Sequence, residues 1–249
     1  MFKGLRFFGS SIWHRTIAGT ACSEIINQVY LGAAPVNLSK IRGLTLFTVP
    51  AATYYKELDY LQLITMHNIT YVVNCLSTAE LGSTYLGGIP PANKDDYSDL
   101  SPSVGFTNLQ LEDGIERFSD VPTPEQVAKQ LSELFKKLIN NNVTILFHCN
   151  IGVGRSAKVC AAFLAYRALS TLPIFLQSTN PQEINNLIKG EVITAFALIK
   201  SQRPEVNWTT TLSHQRRSNI DFVVDCLTEV FAYEAKQKLT EQKLATKSI

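Results

Sequence analysis

The sequence predicts an α/β fold: a single domain with a central, mainly parallel sheet flanked by helices on both faces. Two observations carry that expectation. The β-branched apolar runs at 70–76 and 143–147 have the composition of strands buried on both faces. Each follows a segment whose apolar residues recur at helical spacing, and strand alternating with helix is the pattern that builds a parallel sheet. With 249 residues, 45% of them hydrophobic and 18% charged, the chain is long and apolar enough for a sizeable core.

Residues 1–22 set Lys3, Arg6, His14 and Arg15 among Phe2, Phe7, Phe8 and Trp13, with no acid before Glu24. We read them as a basic aromatic arm packing on the domain; the alternative is an amphipathic helix making peripheral membrane contact, or a targeting peptide. A first strand is expected at 28–31, and a helix at 52–67 from the spacing of Tyr54, Leu58, Leu61 and Ile64. The strand at 70–76 gives way to a stretch rich in Gly, Pro, Ser, Asn and Asp at 77–103, long enough to expect a lid or substrate-facing loop; a disordered insertion is the alternative. Another strand is expected at 104–111.

Thr123-Pro124-Glu125-Gln126 has the residues of a helix start. Val127, Leu131, Leu134 and Leu138 then share one apolar face, with Glu125/Lys129 and Glu133/Lys137 pairs opposite. Asn140 to Asn142 close that helix before the strand at 143–147. After a helix over 157–166, Thr179-Asn180-Pro181 reads as another helix start, and the helix runs through Ile199. The last apolar helix spans 219–233, and 234–249 reads as a solvated helical extension or frayed tail. The domain division is therefore a 1–22 arm, a 23–235 domain and a 236–249 polar tail.

The chemistry concentrates between the 143–147 strand and the helix after it. His148-Cys149-Asn150-Ile151-Gly152-Val153-Gly154-Arg155-Ser156 places five residues between a cysteine and an arginine. A loop closing onto a helix N-terminus turns backbone N–H groups inward and adds the positive end of the helix dipole, which suits an oxyanion. Gly152 and Gly154 are expected to supply positive φ and close backbone approach, and Arg155 to bind two phosphate oxygens bidentately. In that field the Cys149 thiol should ionise and act as a nucleophile.

This Cys-x5-Arg-Ser loop, with its His, its glycines and its strand-to-helix setting, resembles the signature of the cysteine-dependent protein tyrosine phosphatases, dual-specificity branch. The segment Trp13-His14-Arg15, with Val29-Tyr30-Leu31-Gly32, is also similar to the mitochondrial lipid-directed dual-specificity phosphatases. The resemblance implies phosphomonoester hydrolysis through a cysteinyl-phosphate on phosphotyrosine and phosphoserine/threonine in proteins, with a phosphoinositide or phosphatidylglycerophosphate as the alternative substrate and an inactive phosphate-binding module as a further one. It implies Cys149 as nucleophile, Arg155 as clamp, and Asn150, Ile151, Gly152, Val153 and Gly154 as phosphate-binding backbone. Ser156 would hydrogen-bond the departing thiolate, and His148 would brace the loop through its ring hydrogen bonds. Among Glu112, Asp113, Glu116 and Asp120, Asp113 follows a strand end and, with Gly114 and Phe118, is similar to the family's general-acid loop, so it is the expected acid and then base.

No cofactor and no metal are expected, since none of the four histidines has ligand spacing. A net charge of +2 gives no argument for nucleic acid as a partner. The five cysteines are scattered and odd in number, against a disulfide framework and in keeping with a cytoplasmic or other reducing compartment. Cys75 lies on the strand expected to flank the loop; a reversible disulfide with Cys149 is disfavoured there, because alternate strand residues face opposite ways.

Overall fold

The structure, a computed structural model, describes residues 22–37, 59–81, 91–100, 102–111, 124–149, 152–173, 180–206 and 218–247. The arm at 1–21 lies outside them. In chain order come β1 (Cys22–Ile26), β2 (Val29–Ala33), α1 (Tyr60–His67), β3 (Tyr71–Asn74), α2 (Thr78–Leu81), α3 (Lys94–Ser98), β4 (Gly105–Asn108), α4 (Pro124–Asn140), β5 (Ile145–Cys149), α5 (Arg155–Leu169), α6 (Pro181–Gln202) and α7 (Asn219–Lys247). The five strands form one sheet in the order β1-β2-β5-β3-β4. Only β1–β2 is antiparallel, so the expected mainly parallel α/β layout is the one observed.

β1 is an addition to the expected strands. It reads Cys-Ser-Glu-Ile-Ile, and its turn relies on Gln28 at φ 66° where a glycine would have advertised a hairpin. By contrast β3 and β5 are buried along their whole length, which is why their composition was diagnostic. Thr70 and Thr144 set the register between them: the Thr70 N–H donates to the Thr144 carbonyl at 2.9 Å, and the Thr144 N–H donates to Thr70 Oγ1 at 3.0 Å. α1 is closed at one end by the Asp59 carboxylate, which accepts from the Gln62 N–H, and at the other by Asn68 in the left-handed region.

The segment read as a lid is in part core. Ala92 and Tyr97 are fully buried with Ile69, Val72, Val104 and Leu146, and the Tyr97 ring stacks on Phe106 at 5.4 Å and meets Tyr60 edge-on at 5.7 Å. α3 carries a capping box between Asn93 and Asp96, and the buried Asp96 carboxylate also accepts from Asn37 Nδ2 at 2.7 Å. A single aromatic anchor with satisfied polar neighbours outweighs a loop-like composition. Residues 82–90 lie outside the described residues.

The described residues gather into two compact units. The first draws on 1–117, 143–160 and 198–207 and contains the sheet. Within it Arg203, 2% exposed, donates from Nη1 to the Leu31 carbonyl at 3.0 Å and pairs with Glu205, fastening the chain to β2. The second unit draws on 118–142, 161–197 and 208–249. There Phe135 meets Phe163 edge-on at 5.7 Å, Tyr166 stacks on Phe231 at 5.3 Å, and Glu234 accepts from Ser132 Oγ and the Tyr166 hydroxyl. On α4 Lys129 pairs with Glu133 at 3.9 Å on the exposed face, and Lys136 pairs with Glu234 at 3.0 Å. α7 continues unbroken through Lys247, and its residues from Ala235 to Ala245 are exposed, so that stretch of the polar tail is a solvated helical extension.

Candidate active site

β5 lies at the centre of the sheet, parallel to β2 on one side and β3 on the other, and Cys149 is its last residue. The carboxyl ends of parallel strands are where such sheets present ligand sites. The chain re-enters the described region at Gly152 and begins α5 at Arg155. Gly152 has φ +82° and its N–H donates to Cys149 Sγ at 3.3 Å. A Cβ there would overlap the Gly32 carbonyl and lie 2.9 Å from the Ala33 nitrogen, so the loop is pressed onto the backbone of β2 at this point. Gly154 departs from expectation. Its φ is not positive and a Cβ would meet nothing within 4 Å; it precedes α5, its carbonyl accepting from the Lys158 N–H at 3.2 Å. Val153 is half-buried. Asn150 and Ile151 lie outside the described residues.

Cys149 is 3% exposed. Burial is the largest influence on its thiol and pushes the pKa up; the Arg155 guanidinium, the Ser156 hydroxyl and the Ser156 and Gly152 N–H groups together overcome it, so the pKa lies below the ordinary thiol value. The Ser156 hydroxyl donates to Sγ at 3.2 Å from the second residue of α5. His148 is fully buried, and burial first, then the Arg155 charge, lower its pKa to about 3, so the ring is neutral at pH 7. Among the described residues neither Nδ1 nor Nε2 makes a hydrogen bond of good geometry, so the expected ring bonds are not seen there, while the Cys149 backbone acts in the opposite sense and favours the charged ring. It is the His148 carbonyl that bonds, accepting from the Cys75 N–H at 2.8 Å.

That bond also corrects the reading of Cys75. Asn74 is in register with His148, so the next residues along, Cys75 and Cys149, are neighbours across adjacent strands and share a face. Burial, followed by the Cys149 charge, raises the Cys75 thiol well above its ordinary value.

The residue that sequence reasoning missed is Glu80. Its two carboxylate oxygens take the end of the Arg155 fork, Oε2 from Nη1 and Oε1 from Nη2 at 2.7 Å, while Nη1 also donates to the Leu111 carbonyl at 2.9 Å. Ser77 holds Glu80 in turn, its N–H and Oγ reaching Oε2 at 2.9 and 3.0 Å. Burial opposes ionisation of Glu80, but the Arg155 bonds and charge and the Ser77 bonds prevail, leaving its pKa below the usual carboxylate value. Ser77-Thr78-Ala79-Glu80 is a capping-box sequence, and that signal could have drawn attention to it. Asp113 lies outside the described residues, as do Glu112, Glu116 and Asp120; the Leu111 carbonyl bond brings the chain to Arg155 two residues before Asp113.

Residues 57–168 match a family model described as a polymorphic toxin system, DSP-PTPase phosphatase. Among solved structures, that of PTPMT1 is 18% identical with a TM-score of 0.48, covering 86% of this chain and 99% of that one. The human tyrosine phosphatase-like serine/threonine/tyrosine-interacting protein gives 15% and 0.45 over 87% and 97%. Human DUSP28 gives 14% and 0.44 over 85% and 95%. No curated protein matches the chain.

Proposed function

We propose, on the premise that residues 57–168 form a domain of the cysteine-dependent phosphatase superfamily in its dual-specificity branch, that the chain hydrolyses phosphomonoesters through a cysteinyl-phosphate. The observation that supports this best is the thiol itself: a buried sulfur at the end of the central strand accepts from the Gly152 N–H and the Ser156 hydroxyl beside a buried arginine. Cys149 attacks phosphorus as the thiolate, forming the S–P bond while the bond to the leaving oxygen breaks. Asp113 gives that oxygen its proton, then takes one from the water that attacks the cysteinyl-phosphate. In this second step the thiolate leaves, and the Ser156 O–H stabilises its charge. Throughout, Arg155 and the loop N–H groups bind the equatorial oxygens, where charge accumulates.

For the substrate, the loop residues Asn150, Ile151, Gly152, Val153 and Gly154 carry no cation. A second phosphate would lose charge-assisted contacts there, on the order of 1.5–3 kcal/mol each. Singly phosphorylated side chains of proteins are therefore the proposed substrates. The test is a parallel panel of phosphotyrosine and phosphothreonine peptides, phosphoinositides and phosphatidylglycerophosphate, with Cys149→Ser as control. Turnover of an aryl phosphate that vanishes in Cys149→Ser, with a burst of product on rapid mixing, supports the mechanism. Near-wild-type turnover in that variant sinks it. A specificity constant for a phospholipid well above that for every peptide replaces the protein substrate by the lipid one.

A further inference from the structure

Resting on that reading, we propose that Asn74 is a positioning residue for the reaction: its amide Nδ2 holds the His148 ring in one tautomer and orientation, and through the ring fixes the Cys149 peptide. Asn74 ends β3 and is in register with His148 on β5, so the two side chains stand next to each other on the face of the sheet opposite Cys149. Both are fully buried. The Asn74 amide is already fixed at its other end, because Oδ1 accepts from the Leu76 N–H at 2.9 Å and turns the chain out of β3. That leaves the donor end, Nδ2, for a neighbour, and among the described residues it makes no hydrogen bond of good geometry.

The two groups are complementary. A neutral imidazole has one N–H and one bare nitrogen, and a bare nitrogen buried away from every donor is destabilising. The Cys149 backbone favours the charged ring, which is the sense of a ring N–H directed at the Cys149 carbonyl. The other nitrogen is then the one that needs a donor. Across the sheet the register gives the ring two neighbours, Gly32 on β2, which has no side chain, and Asn74 on β3, which has the amide. The competing donor is the Tyr97 hydroxyl, also buried without a partner and packed on Val72 and Leu146, two residues before Asn74 and His148 on the same face. A ring that swaps tautomers releases the Cys149 carbonyl. With it goes the direction of the chain that returns the Gly152 N–H to Sγ.

The experiment uses the full chain labelled for nitrogen NMR. It reads the His148 ring nitrogens, assigned as the signals missing from His148→Gln, and the pH midpoint for alkylation of Cys149 by iodoacetamide. In Asn74→Ser the hydroxyl can still take the Leu76 N–H, but it is too short to meet the ring. The wild type should show one protonated and one bare nitrogen at pH 7. Asn74→Ser should show the two averaged, with the alkylation midpoint raised by about 0.5–1 pH unit and kcat/KM on an aryl phosphate about 3- to 10-fold lower below that midpoint. Tyr97→Phe should leave the ring as in the wild type. A residue that only turned the chain would lower the melting temperature and move none of these readings. Wild-type ring nitrogens in Asn74→Ser therefore overturn the proposal, and so does averaging confined to Tyr97→Phe. If Asn74→Ser does not fold, the wild-type spectrum decides: a single tautomer together with a slowly exchanging Asn74 side-chain amide supports the role, and averaged ring nitrogens refute it. The ring signals require no turnover. A wild-type chain that never cleaves an aryl phosphate would end the catalytic reading and still leave the Asn74 test standing.

Discussion

Two glycines in one loop do different things, and a single methyl group separates them. Alanine at position 152 would be forced to φ +82° against the Gly32 carbonyl, which costs roughly 1–3 kcal/mol of strain before any backbone shift. Alanine at position 154 meets open space and gives up only a favourable helix-capping residue, about 1 kcal/mol. Gly152→Ala should therefore lower the urea midpoint and abolish phosphate binding, whereas Gly154→Ala should unfold close to wild type; matched unfolding curves for the two would refute the distinction. The sequence marked both glycines as loop formers without separating them, because the distinction depends on how the loop meets β2, a strand more than a hundred residues earlier in the chain. His148 shows the same limit. Its place before Cys149 was legible, but its complete burial was not.

Elements were legible where periodicity or composition was strong. β3, β5, α4 and α5 all appear where the pattern put them, since fully buried strands and a one-faced helix leave period and composition in the sequence. β1 left little trace, being a short edge strand with polar residues, and α3 was hidden in a stretch whose Asn, Asp and Pro suggested a loop but whose Tyr97 is core. Strand register carries the further information that Cys75 and Cys149 are side by side, with Cα atoms about 4.8 Å apart by sheet geometry, inside the range a disulfide spans. Peroxide should oxidise the Cys149 thiolate to the sulfenic acid with release of hydroxide, after which the Cys75 thiol displaces water and closes a disulfide. Peptide mapping should find that crosslink, and activity should return on adding dithiothreitol. Cys75→Ser should lose the recovery; equal recovery in both proteins would dispose of the crosslink.

Across the whole molecule, two groups around the site contribute to its response to acid. His148 takes a proton in the folded state only near pH 3, against 6.5 for the ordinary group, so between those values the unfolded chain holds more protons and stability falls as pH falls. Glu80 acts in the same sense: its depressed pKa gives stability that is full above the ordinary glutamate value and is lost as pH drops through the folded one. The melting temperature should begin to decline below about pH 6.5, and His148→Gln should flatten the upper part of that decline; a wild-type melting temperature level down to about pH 5 would contradict it. The sheet order has a consequence for how the chain is made. β1–β2 and β3–β4 are two ribbons, and β5, which joins them, is synthesised after both. At about 5–20 residues per second, the ribosome needs roughly 4–15 s to travel from the end of β3 to the end of β5. During that interval each ribbon has an open edge of unpaired backbone groups, the form in which nascent chains are most prone to join the wrong partner. The strand that ends this exposure is the one that carries the Cys149 thiol, so a chain that has completed its sheet has already set that thiol in place.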